Sequence, residues 1–297
     1  MQVQKIMVIG AGQMGNGIAQ VAAQAGYKVL LNDLKPEFVE KGLSVIVKNL
    51  DRSVAKDKLT LGEKDTILGR IVKSTDLADA AAVDLVIEAA TENLPIKLEI
   101  FKKLDLITPQ HAILATNTSS LPITEIAAAT QRPTQIIGMH FMNPVPVMKL
   151  VEIIRGLATT DAVFKAIEDM SVAMGKVPVE VNDSPGFVSN RVLLPMINEA
   201  IFCLYEGVAT AEAVDQVMKL GLNHPMGPLA LAVSINSSEP TTRLTRPMRQ
   251  ASWASMVSPV YNNSWAKPLP KLRVSRFTPA KPGMTPSPTS GKPNLAL

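Results

Sequence analysis

The six residues Gly10-Ala11-Gly12-Gln13-Met14-Gly15 constrain this chain more than any other feature. They follow directly on the apolar run Lys5–Ile9 and open a helical pattern, Met14–Ala25, in which Ile18, Ala19, Val21, Ala22 and Ala25 are apolar. Glycine triplets alone are common in loops. A strand before, a helix after and an acid about twenty residues on are the context in which such a triplet binds a dinucleotide. Gly10 permits the tight turn, Gly12 lets the backbone approach a pyrophosphate, and Gly15 lets the helix pack close to the strand. Gln13 and Met14 lie at the helix start, whose unpaired N–H groups face the phosphates. Asp33, 18 residues beyond Gly15, ends the next strand. A carboxylate there accepts from both ribose hydroxyls and repels a 2′-phosphate, which favours NAD over NADP. The alternative is a structural glycine turn with a solvated Asp33.

The rest of the first 182 residues repeats this strand–helix alternation. Short Val- and Ile-rich runs at Lys5–Ile9, Lys28–Asn32, Asp84–Glu88, Ala112–Thr116, Gln135–Met139, Lys149–Ile154 and Val177–Val181 read as strands covered on both faces. Helical patterns fall at Met14–Ala25, Glu37–Lys56, Ile96–Ile107, Ile123–Ala129 and Ala162–Met174. Alternation of this kind predicts an α/β fold with a Rossmann-type, doubly wound parallel sheet over residues 1–182. After Asn182 the strands stop. Val188–Tyr205 and Ala211–Leu220 read as helices, so residues 183–232 begin an all-helical domain that looks incomplete.

Charge separates the remainder. The chain of 297 residues has 30 basic and 26 acidic side chains, a net charge of +4. Residues 233–297 hold nine of the basic side chains and one acid, Glu239, whereas residues 1–232 carry a net −4. That basic tail contains ten Pro, ten Ser and six Thr, and neither a helical nor a strand period persists in it. A segment of this composition struggles to bury enough apolar surface to offset its ordering entropy, although both tryptophans, Trp253 and Trp265, lie in it. An abrupt change of composition near residue 232 is the signature of a shifted reading frame. Translating the coding DNA beyond codon 232 in the other two frames tests that origin. One cysteine, Cys203, excludes a disulfide scaffold and a multi-Cys metal site, and no metal is expected. No apolar run approaches the roughly 18 residues of a membrane span, and no leader pattern precedes the first strand. The cytoplasm is the expected compartment.

Three histidines are present. His111 lies between a helix and a strand and His224 in Asn223-His224-Pro225; both read as solvated or structural. His140 differs, because it ends an apolar strand where an open α/β sheet forms its ligand crevice. Glu152 sits between Val151 and Ile153 in the following strand, where an acid needs a partner. A carboxylate that holds one imidazole nitrogen fixes the tautomer and stabilises the imidazolium, as a general base requires. A satisfied structural histidine and a water-facing edge-strand acid are the alternatives.

Several motifs together resemble the L-3-hydroxyacyl-CoA dehydrogenase family, most closely its bacterial 3-hydroxybutyryl-CoA branch. They are the Gly10–Gly15 turn, Glu88-Ala89-Ala90-Thr91-Glu92-Asn93, Thr116-Asn117-Thr118-Ser119-Ser120, His140-Phe141-Met142-Asn143-Pro144-Val145-Pro146, Asp183-Ser184-Pro185-Gly186-Phe187-Val188-Ser189-Asn190-Arg191 and Met226-Gly227-Pro228. The resemblance covers residues 1–232. It implies NAD as cofactor, an acyl-CoA substrate, neither nucleic acid nor membrane as partner, and a homodimer built on the helical domain. The basic stretch from Val233 replaces the helices expected there and puts that dimer in question, leaving an inactive NAD-binding relative or a dehydrogenase of a non-CoA hydroxy acid as alternatives. The resemblance makes His140 the general acid/base and Glu152 its partner. Ser119 would hydrogen-bond the 3-oxygen of the substrate and Asn190 would polarise the acyl head. Glu92, Lys97 and Asn143 would contact cofactor ribose, phosphate or nicotinamide. Read without the resemblance, Ser119 could equally cap the helix at Ile123, and Asn190 could face solvent. Lys56, among Lys48, Arg52 and Lys58, could meet a CoA phosphate or belong to a solvated helix face.

Overall fold

A computed structural model describes residues 3–235. Readings made on residues 236–297 lie outside the described residues. The centre of the fold is the first strand, β1 (Lys5–Ile9), which pairs in parallel with β2 (Lys28–Asn32) on one side and β4 (Leu85–Glu88) on the other. The order is β3-β2-β1-β4-β5-β6-β7-β8, with β3 at Ile71–Ser74, β5 at Ile113–Thr116, β6 at Ile136–Phe141, β7 at Leu150–Arg155 and β8 at Val177–Asn182. Strand order reverses between β1 and β4. That switch point opens a crevice at the carboxyl ends of the strands, the ligand position of doubly wound sheets.

Alternating side chains of these strands feed two cores, one on each face. Ile6 and Val8 of β1, Leu85 and Ile87 of β4 join the cluster beneath α1 (Gln13–Gln24), α2 (Pro36–Val54) and α6 (Asp161–Ala173). Met7, Ile9 and Val86 point the other way, to α4 (Leu94–Ile107) and α5 (Ile123–Ala128). Strands covered on both faces need no polar alternation, which is why they read as continuous apolar runs.

The doubly wound sheet departs from parallel pairing at one place. β7 runs antiparallel to β6, while β8 again runs parallel to β7. Only residues 142–149 join β6 to β7. A parallel crossover needs a dozen residues or more, so this connection can only fold back. The sequence reading also omitted α3 (Leu61–Gly69) and β3. The capping box of Thr60 and Glu63 that starts α3 is complete.

Beyond β8, α7 (Ser189–Tyr205), α8 (Ala211–Gly221) and α9 (Pro228–Ile235) gather a small core from Ile197, Ala200, Ile201, Val214, Leu229 and Ala232. The Asp215 carboxylate accepts from the first free amides of α9, Leu229 N at 2.9 Å and Ala230 N at 3.0 Å. Sequence periodicity does not predict α9, which continues through Val233–Ile235, three residues into the stretch where composition changes.

Candidate active site

The crevice is a groove of about 1100 Å³ whose lining includes Gly10, Gly12, Gln13, Asp33, Thr91 and Asn143. Whether it suits a dinucleotide is settled at the glycines. Gly10 has φ of +96°, and a Cβ there would stand 2.7 Å from the Ala89 carbonyl oxygen. A Cβ on Gly15 would come 1.6 Å from the Gly10 oxygen, so helix and turn close only without a side chain. Gly12 is the opposite case, with no atom within 4 Å of the place a Cβ would take. The space over Gly12 is open, as a pyrophosphate laid on the backbone requires. Gly12 also forms the N-cap of α1, no side chain caps the first turn, and no acid lies in it. Its amides are left for an anion. Met14 follows in that same turn.

Asp33 closes the turn from the other side. Its Oδ2 accepts from Ala11 N at 2.7 Å and its Oδ1 from Leu34 N at 2.7 Å. The carboxylate therefore shapes the glycine turn as well as standing where ribose hydroxyls would arrive. Across the groove Gln13 Nε2 donates to Asn143 Oδ1 at 3.1 Å, linking the first turn of α1 to the loop after β6. That loop is seated from behind by Lys176, a buried ammonium that donates to the carbonyls of Val145 and Met148. Burial pushes this lysine below the usual range.

His140 and Glu152 meet because β6 and β7 are antiparallel and in register at these two residues. Directly opposed residues of an antiparallel pair share one face. His140 Nδ1 lies 2.8 Å from Glu152 Oε2. An ionised carboxylate only accepts, so the imidazole carries its proton on Nδ1. No described residue takes Nε2, and among the described residues no buried side-chain nitrogen or oxygen is left unpaired, so Nε2 is open to solvent. The Phe187 ring covers the imidazole at 5.7 Å between centroids. Glu152 is 2 % exposed. The reading of it as a water-facing edge acid fails, since β7 is flanked on both sides. Its Oε1 accepts from Val188 N at 3.2 Å and Ser189 N at 2.9 Å, and its Oε2 also accepts from Ser189 Oγ at 2.8 Å. Burial opposes its ionisation, but the bonds from His140 and Ser189 outweigh burial and hold the carboxyl below its usual range.

Glu92 and Ser119 are brought together at the ends of β4 and β5. Ser119 Oγ and Ser119 N donate to Glu92 Oε1 at 2.6 and 2.5 Å, and Thr118 Oγ1 donates to Oε2 at 2.8 Å. Asn190 Nδ2 donates to the Ser119 carbonyl at 3.1 Å, so Asn190 does not merely face solvent. The Ser119 helix-cap reading is also corrected. The amides of Ile123 and Thr124 are taken by the Asp183 carboxylate at 3.1 and 2.8 Å.

Lys97 is not placed as a phosphate contact. It is 1 % exposed, and its ammonium is held by Glu88 and by Thr116 Oγ1, which lies 3.1 Å away. Glu88 in turn accepts from Ala90 N at 2.9 Å and Thr91 N at 3.4 Å, which shapes the loop bearing Glu92. The buried pair supports the site from below. Lys56 is exposed, lies past the end of α2 and does not line the groove, so the structure does not gather it with the others. His111 pairs at the surface with Asp84, 3.2 Å away, as a structural histidine would.

Glu88, Asn117, Asp183 and Ser189 were missed as organisers although each lies in a quoted motif. Asn117 Oδ1, for instance, accepts from Phe141 N at 2.8 Å and holds the end of β6. Nothing in residue type or spacing marks Asn117, Asp183 or Ser189, because their partners lie 24 to 60 positions away; Glu88 is nine positions from Lys97, but the two sit on different elements and meet only in the fold. Among the described residues, no cluster of three or more His, Cys, Asp or Glu could hold a metal ion, and no helix is long and apolar enough to cross a membrane.

Comparison with known proteins gives this geometry a context. The model of the 3-hydroxyacyl-CoA dehydrogenase NAD-binding domain matches residues 5–184, and that of the family's C-terminal domain matches residues 186–239. A probable 3-hydroxybutyryl-CoA dehydrogenase of Bacillus subtilis is 61 % identical over 232 residues, covering 78 % of this chain and 81 % of its own. Its namesake in Deinococcus radiodurans is 57 % identical over 228 residues, covering 77 % and 82 %. The crystal structure of (S)-3-hydroxybutyryl-CoA dehydrogenase PaaH1 from Ralstonia eutropha superposes with a TM-score of 0.78 at 49 % identity, covering 82 % of this chain and 86 % of that one. Glycine turn, sheet and matched sequence agree: the chain belongs to the 3-hydroxyacyl-CoA dehydrogenase family of NAD-dependent oxidoreductases.

Proposed function

We propose that the chain interconverts (S)-3-hydroxyacyl-CoA and 3-oxoacyl-CoA, with the four-carbon 3-hydroxybutyryl ester as substrate. The observation that carries this reading is the His140–Glu152 pair, with Nδ1 fixed and Nε2 open. NAD, when bound, supplies the hydride acceptor in one direction and, as NADH, the donor in the other. In oxidation, His140 Nε2 takes the proton of the 3-hydroxyl, and Glu152 stabilises the imidazolium that results. In reduction, the protonated ring returns it. Help of this kind is typically worth about 10²–10⁴ in rate.

Ser119 Oγ meets the 3-oxygen. Its single proton lies on Glu92, so donation to substrate requires the hydroxyl to turn from that carboxylate. Asn190 spends one N–H on Ser119 and offers the remainder of its amide to the acyl head. Gly12, Gln13, Asp33 and Asn143 line the cofactor groove, and Lys56 is the candidate for a CoA phosphate on charge and exposure alone. Under the same reading the chain works in the cytoplasm as a homodimer, which light scattering of the purified protein tests.

NADH oxidation followed with acetoacetyl-CoA, against NADPH and against free acetoacetate, tests the function. Turnover is expected with the thioester and NADH. Equal rates on free acetoacetate, or no turnover with the thioester, overturn the substrate. His140→Gln should keep NADH affinity and lose orders of magnitude in turnover.

A further inference from the structure

The carboxylate beside His140 is completed from outside the sheet. Three of the four donors on Glu152 come from the start of α7: Val188 N, Ser189 N and Ser189 Oγ. The hydroxyl is placed unlike the two amides. It donates to Oε2, the same oxygen that receives His140 Nδ1, whereas the amides donate to Oε1. Two donors on one oxygen compete for its charge, so each weakens the basicity the other sees.

We propose that Ser189 is a positioning residue for the reaction: its hydroxyl moderates the Glu152 carboxylate and thereby sets the protonation midpoint of His140, while tying the start of α7, which carries Asn190, to the acid–base pair. This rests on the acid–base role given to His140 above. Among the described residues, His140 is the only titratable group that acts on the Glu152 carboxylate. His140 is the titratable neighbour of Glu152 from β6; β8 opposes it with Val179; α7 presents Val188 amide, Ser189 amide and Ser189 hydroxyl; and the segment before α7 covers the imidazole with the Phe187 ring. Removing the hydroxyl leaves Oε2 to His140 alone, strengthens the carboxylate–imidazolium contact and raises the midpoint of His140.

The isosteric variants Ser189→Thr and Ser189→Val differ only in keeping or losing the hydroxyl, and Ser189→Ala gives a third point. The full chain is titrated in each form by NMR of 15N-labelled imidazole, and the pH profile of kcat/KM for 3-hydroxybutyryl-CoA oxidation is measured in parallel. Circular dichroism identifies any variant that fails to fold, which the remaining pair replaces. The His140 midpoint and the acid limb of the profile should rise by about half a unit or more in the Val and Ala forms, and Thr should stay with the parent. KM for NAD should hold. An unchanged midpoint in folded Val and Ala forms overturns the proposal, as does a rise of equal size in the Thr form. A midpoint that moves in a chain without turnover on the thioester leaves the coupling standing and overturns the substrate reading instead.

Discussion

Glu152→Gln tests the centre of the site with the smallest possible change of shape. The parent carboxylate accepts four bonds, two on each oxygen. In the amide one oxygen survives and continues to serve the Val188 and Ser189 amides, which cannot turn. The NH₂ then faces His140 Nδ1 and Ser189 Oγ. The hydroxyl adapts by rotation, but the imidazole must expose a lone pair at Nδ1, which moves its proton to Nε2. A ring protonated there cannot accept the substrate proton, so the base is disabled although every atom stays near its place. A loss of about 10²–10⁴ in kcat is expected, with the dissociation constant for NADH unchanged. Stability should fall by about 1–3 kcal/mol, the cost of imperfectly satisfied polar groups at a residue 2 % exposed. Stopped-flow turnover and urea unfolding measure the two. A variant within tenfold of the parent kcat refutes the tautomer argument, whatever its stability.

Acid unfolding should show the same residue. The folded carboxyl titrates below its unfolded value, so its stabilisation is complete above that value of 4.5 and is lost as pH falls through the lowered folded one. Urea midpoints taken from pH 6 downward should fall less steeply in Glu152→Gln than in the parent. At the glycine turn, Gly12→Ala should fold with its melting temperature within about 2 °C of the parent, since nothing lies within 4 Å of the new Cβ, yet weaken NADH about tenfold or more. Gly15→Ala should instead lose about 3 kcal/mol or more, because its Cβ meets backbone at 1.6 Å; equal behaviour of the two variants contradicts the division. Lys97→Met strands a buried Glu88 and should cost about 3–5 kcal/mol by urea unfolding, most of it recovered when Glu88→Gln is added.

The glycine turn was legible because each of its requirements is local. Strand, turn and helix lie within twenty residues, and the open space over Gly12 follows from backbone geometry alone. The inner strands were legible because burial on both faces leaves mostly apolar residues in them, whereas β8, read in the same way, proves to be an edge strand with Val177 and Val179 exposed. His140 and Glu152 stood out as a polar pair among apolar neighbours, but pairing them needed the fold-back of β7, a matter of a connection too short to cross over. α3 and β3 escaped because their apolar faces are narrow: α3 buries Ile67 alone, and β3 buries only its two ends. The burial of Lys97 was not legible, because a lysine at the rim of a groove and a lysine buried beneath one look alike in sequence.

By itself, the sequence determined the class of fold, the NAD-binding turn and the two ionisable residues set in apolar strands, His140 and Glu152. Those follow from periodicity, glycine spacing and the rarity of ionisable side chains in apolar strands. Only the tertiary structure decided which oxygen of Glu152 serves His140, that Ser189 shares it, that Glu92 holds Ser119, and that Lys97 faces inward. The physical reason is range. Hydrogen bonds are satisfied within about 3 Å in space, and in this site the residues that satisfy them come from four strands, the loops after β4 and β5, and the first turns of α4 and α7.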